Sequence, residues 1–137
     1  MIRKITCMLM TIVVILSLCS FTPDTPETPI DDLDYSYTIL CRSSLYITGS
    51  TGKCASYLLG YSGVTDKIVV KQYLQVRDGN RWRTSQFWSN TYYSYSAYFT
   101  NERTLYSGNT YRVYTEFTVY SGSNSETVTA YSASNSV

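Results

Sequence analysis

The chain has 137 residues, and an exported leader would leave room for one domain. Eleven Lys and Arg against ten Asp and Glu, with no His at all, argue against a basic nucleic-acid stripe and exclude every chemistry that needs an imidazole. Fifteen Tyr, two Trp and four Phe supply enough apolar surface for a core without metals.

The first twenty residues have the layout of a secretory signal peptide. Arg3 and Lys4 precede an apolar run over residues 5–18, which gives way to polar side chains. The run is shorter than the ~20 residues of a membrane helix, so a permanent span is the second choice. Two processing routes stay open. Ser17 and Cys19 suit the −3 and −1 places of an ordinary cleavage site, which predicts a secreted protein. Alternatively Cys19 is lipidated and anchors the chain to a membrane, although Leu18 stands where Gly, Ala or Ser is usual. Residues 21–34 hold all three prolines (Pro23, Pro26, Pro29) and five acids without a base. Proline stiffness and like charge extend such a segment, so it reads as a linker.

Residues 35–137 are expected to form one β-domain with no helix. They carry nine Lys and Arg against five acids, scattered rather than clustered, so no nucleic-acid partner is expected. Residues 37–48 alternate Ile39, Cys41, Leu45 and Ile47 with polar side chains, as a strand with one dry side does. A Gly49–Gly52 turn leads to a second strand over residues 54–59. Residues 67–88 read as a hairpin about Asp78-Gly79-Asn80. A strand with Tyr93, Tyr95, Ala97 and Phe99 in register covers residues 92–100, and residues 105–110 form a corner. Residues 111–120 alternate most cleanly, with Val113, Phe117 and Val119 inward, and a last strand spans residues 126–132. Seven short strands match an Ig-like antiparallel β-sandwich. In an exported domain Cys41 and Cys54 are expected to pair, a thirteen-residue closure contributing ~3 kcal/mol.

Hairpin length decides where Trp82 and Trp88 point. A loop of Asp78-Gly79 pairs Gln75 with Trp82 and puts both indoles on the wet face, driving Arg81 and Arg83 inward. A loop of Asp78-Gly79-Asn80 pairs Val76 with Trp82 and Val70 with Trp88. The second is preferred because it sends both arginines to water.

On the strand over residues 111–120, Tyr114 and Tyr120 alternate with the core positions, as Tyr73 does on its own strand. A binding face, if one exists, is expected at Tyr73, Tyr114 and Tyr120 with Lys71 and Arg112 beside them. No P-loop, dinucleotide fingerprint or calcium-loop spacing is present, so no cofactor and no metal site are expected. Glu102 and Glu116 could pair for glycoside hydrolysis only if the fold brought them into one cleft. A non-enzymatic binding module for glycan, cell wall or protein is therefore expected. The alternatives are a secreted effector or antimicrobial protein acting on other cells, and a structural domain without ligand.

Two resemblances add to this reading. Leu105, Gly108 and Tyr111 resemble the corner of fibronectin type III and related sandwiches. That implies a Tyr111 ring in the core and a hydroxyl bonded back to upstream backbone. The leader, the acidic linker, the Leu74-Gln75-Val76…Arg81-Trp82 hairpin, Tyr111-Arg112-Val113 and the Thr118–Gly122…Ser125-Glu126-Thr127 closing segment resemble a group of small secreted proteins of clostridia and related Gram-positive bacteria. That group implies a bacterial, exported protein and brings no functional residues with it.

Overall fold

Period-two alternation governs the chain from residue 38 onward. The computed structural model describes residues 35–137; the expected signal peptide, linker and Cys19 lie outside the described residues. Eight strands follow one another: β1 (Thr38–Thr48), β2 (Thr51–Gly60), β3 (Lys67–Asp78), β4 (Arg81–Tyr92), β5 (Ser96–Thr104), β6 (Thr110–Ser121), β7 (Asn124–Tyr131) and β8 (Asn135–Ser136). One sheet has the order β1-β2-β5 and the other β4-β3-β6-β7, with the two-residue β8 added to β6. Every pairing is antiparallel. The sheets pack into an Ig-like β-sandwich of the seven expected strands plus β8.

The core is divided. Leu45, Cys54, Leu74, Val76, Leu105, Tyr111 and Val113 fill one end. Leu58, Ile68, Val70, Ala97, Phe117, Val119 and Val128 fill the other. Between them lies a polar layer contributed by five strands. Ser43 Oγ donates to Thr115 Oγ1 at 2.6 Å, and the Thr115 and Ser56 hydroxyls share a 2.7 Å bond. Gln72 Nε2 donates to Ser56 Oγ at 2.7 Å and to the Phe99 carbonyl at 3.3 Å. Asn101 Nδ2 closes the chain by donating to Gln72 Oε1 at 2.9 Å. Gln72, Ser56 and Thr115 are fully buried, and each is satisfied by its neighbours. That is the condition on which polar groups are tolerated in an interior.

The corner before β6 matches the fibronectin-type expectation. The Tyr111 ring is buried, and its hydroxyl accepts a 3.1 Å bond from the Tyr106 backbone N–H. Leu105 lies so close over β2 that a Cβ on Gly52 would come within 2.7 Å of its side chain. Gly52 is thus required for close approach. At the N-terminal side of the sandwich, the Glu126 carboxylate accepts from the backbone N–H groups of Ser36 and Tyr37.

Three sequence expectations are corrected. Cys41 and Cys54 are free thiols, not a disulfide. Cys41 lies opposite Leu58, whereas Cys54 lies opposite Leu45. The four-residue offset separates them by about 13 Å at ~3.3 Å per residue, well beyond the ~7 Å a disulfide spans. Ile39 is exposed at 53%, because a register shift between Thr38 and Leu40 turns Thr38 inward in its place. Tyr93 and Tyr95 precede β5 and are exposed, in the segment that crosses between sheets, so only Ala97 and Phe99 face in.

Three outcomes are expected. Thr115→Val keeps the volume but removes the hydroxyl joining Ser43 to Ser56. Chemical denaturation should show a loss of about 1–3 kcal/mol, the cost of stranding buried partners. Burial pushes the Cys54 thiol from 9.0 up to about 12. In the unfolded chain this thiol ionises near 9, so the folded state binds the extra proton between those values. Its contribution to stability is complete below pH 9 and is lost as pH rises toward 12. Melting temperature should fall across that window, and less steeply in Cys54→Ala. Cys54 should resist alkylation in the native protein, as peptide mapping would reveal.

Candidate functional site

The outer face of the β4-β3-β6-β7 sheet is built by the same alternation that buries the core. With Gln72 and Leu74 inward on β3, Tyr73 points out. With Val113 and Thr115 inward on β6, Tyr114 points out. Register then aligns Tyr73 with Phe87 on one side and with Tyr114 on the other, and Tyr114 with Tyr131. The result is one aromatic row across four strands: Phe87, Tyr73, Tyr114, Tyr131. Successive ring centroids are 4.9, 5.4 and 4.8 Å apart, with interplanar angles of 44°, 30° and 28°. Neighbouring rings face one another rather than lying flat on the sheet. The row therefore presents ring edges and phenol hydroxyls to solvent. The hydroxyls of Tyr73, Tyr114 and Tyr131 have no hydrogen-bond partner among the described residues.

Arg112 locks one side of this row. Its Nε donates to Gln75 Oε1 at 2.7 Å, and its guanidinium lies 4.3 Å from the Trp82 ring and 4.6 Å from the Tyr131 ring. Arg77 approaches the same indole at 5.3 Å. Cation–π contacts at this range hold the Trp82 plane over the sheet. Burial among the rings, reinforced by the Glu116 charge and by Tyr131 and Tyr73, raises the Tyr114 phenol above its ordinary range. It is a hydroxyl donor at neutral pH.

The structure brings together Tyr73, Tyr114 and Arg112 of the five residues expected at a binding face. Lys71 lies two positions along β3 on the same face, opposite Glu116. Tyr120 does not join them. It lies six residues beyond Tyr114, about 20 Å at strand rise, and Lys67 covers its ring at 4.0 Å. Sequence reasoning missed Phe87, Tyr131 and Trp82. Tyr131 was available from the alternation of β7 with Val128, but its neighbour across the sheet was not.

The tryptophans follow neither expected register. The loop is Gly79-Asn80, with Asp78 opposite Arg81 and Gly79 at φ +60°. Glycine at the first of two central positions is the type II′ arrangement, whose twist suits a hairpin. Trp82 thus falls opposite Arg77, on the outer face. A bulge then inserts one extra residue on β4, between the Leu74–Gln86 and Gln75–Thr84 pairs. It inverts the faces, so Trp88 falls opposite Gln72 and packs on the core cluster of Leu74 and Val113. Trp82 is outward, Trp88 inward.

Glu102 and Glu116 do not meet. Glu102 points outward from β5 and Glu116 outward from β6, on opposite faces of the sandwich. No cluster of three or more His, Cys, Asp or Glu side chains that could hold a metal occurs among the described residues.

Acrylamide quenching should separate the two indoles. The Trp88→Phe protein, reporting on Trp82, should be the more readily quenched. Trp88→Ala should cost about 2–3 kcal/mol of stability and Trp82→Ala under about 1. Equal quenching in both single-Trp proteins would refute the inversion.

Comparison of the sequence with protein-family models and with curated proteins finds no match.

Proposed function

We propose that this chain is an exported, non-enzymatic binding module that holds a glycan of a bacterial cell envelope on the outer face of the β4-β3-β6-β7 sheet. The observation that carries the reading is the row of three adjoining phenols, Tyr73, Tyr114 and Tyr131, with unengaged hydroxyls, flanked on one side by Trp82 and Arg112. Ring-to-ring contacts restrain the side chains before a ligand arrives, so less side-chain entropy remains to be lost on binding. Tyr, Trp and Arg are also the residues that concentrate binding energy on protein surfaces. Phenol hydroxyls donate to and accept from sugar hydroxyls, and ring edges and the indole face meet their C–H surfaces. Export and a bacterial source, from the leader and from the resemblance to small clostridial secreted proteins, belong to this proposal. They make a cell-surface polymer the accessible ligand. The absence of His and the separation of Glu102 from Glu116 support binding without turnover.

The test is retention of purified protein on insoluble peptidoglycan and on purified wall polysaccharide. Tyr114→Ser together with Tyr131→Ser should lower retention at least tenfold. Loss of their ring contacts should cost about 1–3 kcal/mol of stability, leaving a cooperative melt. Undiminished retention would remove this face from the function.

A further inference from the structure

The opposite outer face, on the β1-β2-β5 sheet, holds a recess. Register stacks three rows there. Arg42, Tyr57 and Tyr98 lie side by side across the strands; Ser44, Ala55 and Thr100 form the next row; Tyr46, Lys53 and Glu102 form the third. The middle row is small, so the surface sinks between its larger neighbours. The resulting trough has a volume of about 190 Å³ and is lined by Arg42, Ser44, Tyr46, Ala55, Tyr57 and Tyr98. Ala55 is its floor: the side chain points outward yet is only 7% exposed, because the tyrosines stand around it.

The polar side chains of the lining are left to solvent. The Arg42 side chain has no hydrogen-bond or ion-pair partner among the described residues, nor do the hydroxyls of Tyr46, Tyr57 and Tyr98. Arg42 is also the one cation in the lining. A planar guanidinium with its donors free is the natural partner of a carboxylate, which it grips through two parallel bonds. A single cation favours a monoanion over a doubly charged phosphate. Tyrosine rings supply flat apolar walls, and their hydroxyls supply donors and acceptors around the rim. At ~30 Å³ per water the space equals about six waters, the scale of one six-membered sugar ring.

We infer that this trough is a binding site for one carboxylated pyranose, such as a hexuronic acid residue, with Arg42 on the carboxylate and the sugar ring over Ala55 between Tyr57, Tyr98 and Tyr46. The site is independent of the aromatic row on the other sheet.

The experiment titrates the full ¹⁵N-labelled chain with methyl glucuronide, with methyl glucoside and with benzoate, following backbone amide shifts. Methyl glucuronide should give saturable shifts centred on Ala55, Tyr57 and Tyr98, and bind at least tenfold more tightly than either other probe. Arg42→Ala should lose tenfold or more of that affinity, Arg42→Lys less. Ala55→Leu should abolish binding by filling the floor, and Tyr114→Ser should leave it unchanged. Arg42 is exposed, so its variants are expected to fold even if Ala55→Leu does not. The inference is overturned if no saturable shift occurs, if glucoside or benzoate equals glucuronide, if Arg42→Ala binds like the parent protein, or if the shifts map to Phe87, Tyr73, Tyr114 and Tyr131.

Discussion

The polar layer that crosses the centre of this sandwich ties five of its eight strands into one register. Ser43, Ser56, Gln72, Asn101 and Thr115 come from five different strands and both sheets. Apolar side chains tolerate sliding, since one methyl group substitutes for another at modest cost. Hydrogen bonds at 2.6–2.9 Å do not. A slip of one residue in any of these strands would strand a buried hydroxyl or amide and turn its whole dry face to water. The two apolar clusters supply most of the driving force on either side of the layer. The layer supplies uniqueness, the role best attested for polar groups in a core.

The same layer determines what the outer surfaces display. Because Gln72 and Thr115 are opposite each other and inward, their chain neighbours Tyr73 and Tyr114 are opposite each other and outward. Because Ser43 and Ser56 are opposite each other and inward, Arg42 faces Tyr57 and Ser44 faces Ala55 on the other outer surface. The aromatic row and the tyrosine-walled trough thus lie on either side of one internal network. Register at the centre decides which side chains each outer surface displays.

Local departures from regular pairing carry the remaining distinctions. The bulge on β4 gives two tryptophans six residues apart opposite duties, one as a surface ring under Arg112 and one as a core filler. Such a bulge on an edge strand also interrupts the row of free backbone groups through which sheets aggregate. The thiols illustrate the reverse case. Cys54 is fully buried and behaves as a small apolar side chain, whereas half-buried Cys41 approaches the Thr129 carbonyl at 3.9 Å. Neither position supplies closure that the network and the two clusters leave undone.

Local pattern alone was enough for the fold class, seven of the eight strands, the corner at Leu105–Tyr111 and the outward positions of Tyr73, Tyr114 and Arg112. Each of these rests on local period-two alternation or on turn chemistry. What lay across from what was decided only by tertiary structure. A two-residue Gly79-Asn80 loop and one extra residue on β4 reset the hairpin register, and neither leaves a mark in composition. Phe87 and Tyr131 became neighbours of Tyr73 and Tyr114 through pairings between strands distant in the chain. Cys41 and Cys54 shared the expected face but not the expected row, so their spacing of thirteen residues carried no information about distance. The trough arose where three small side chains from three strands coincided in one row. Alternation is written along a strand; register is written across strands, and only the packed sheets supply it.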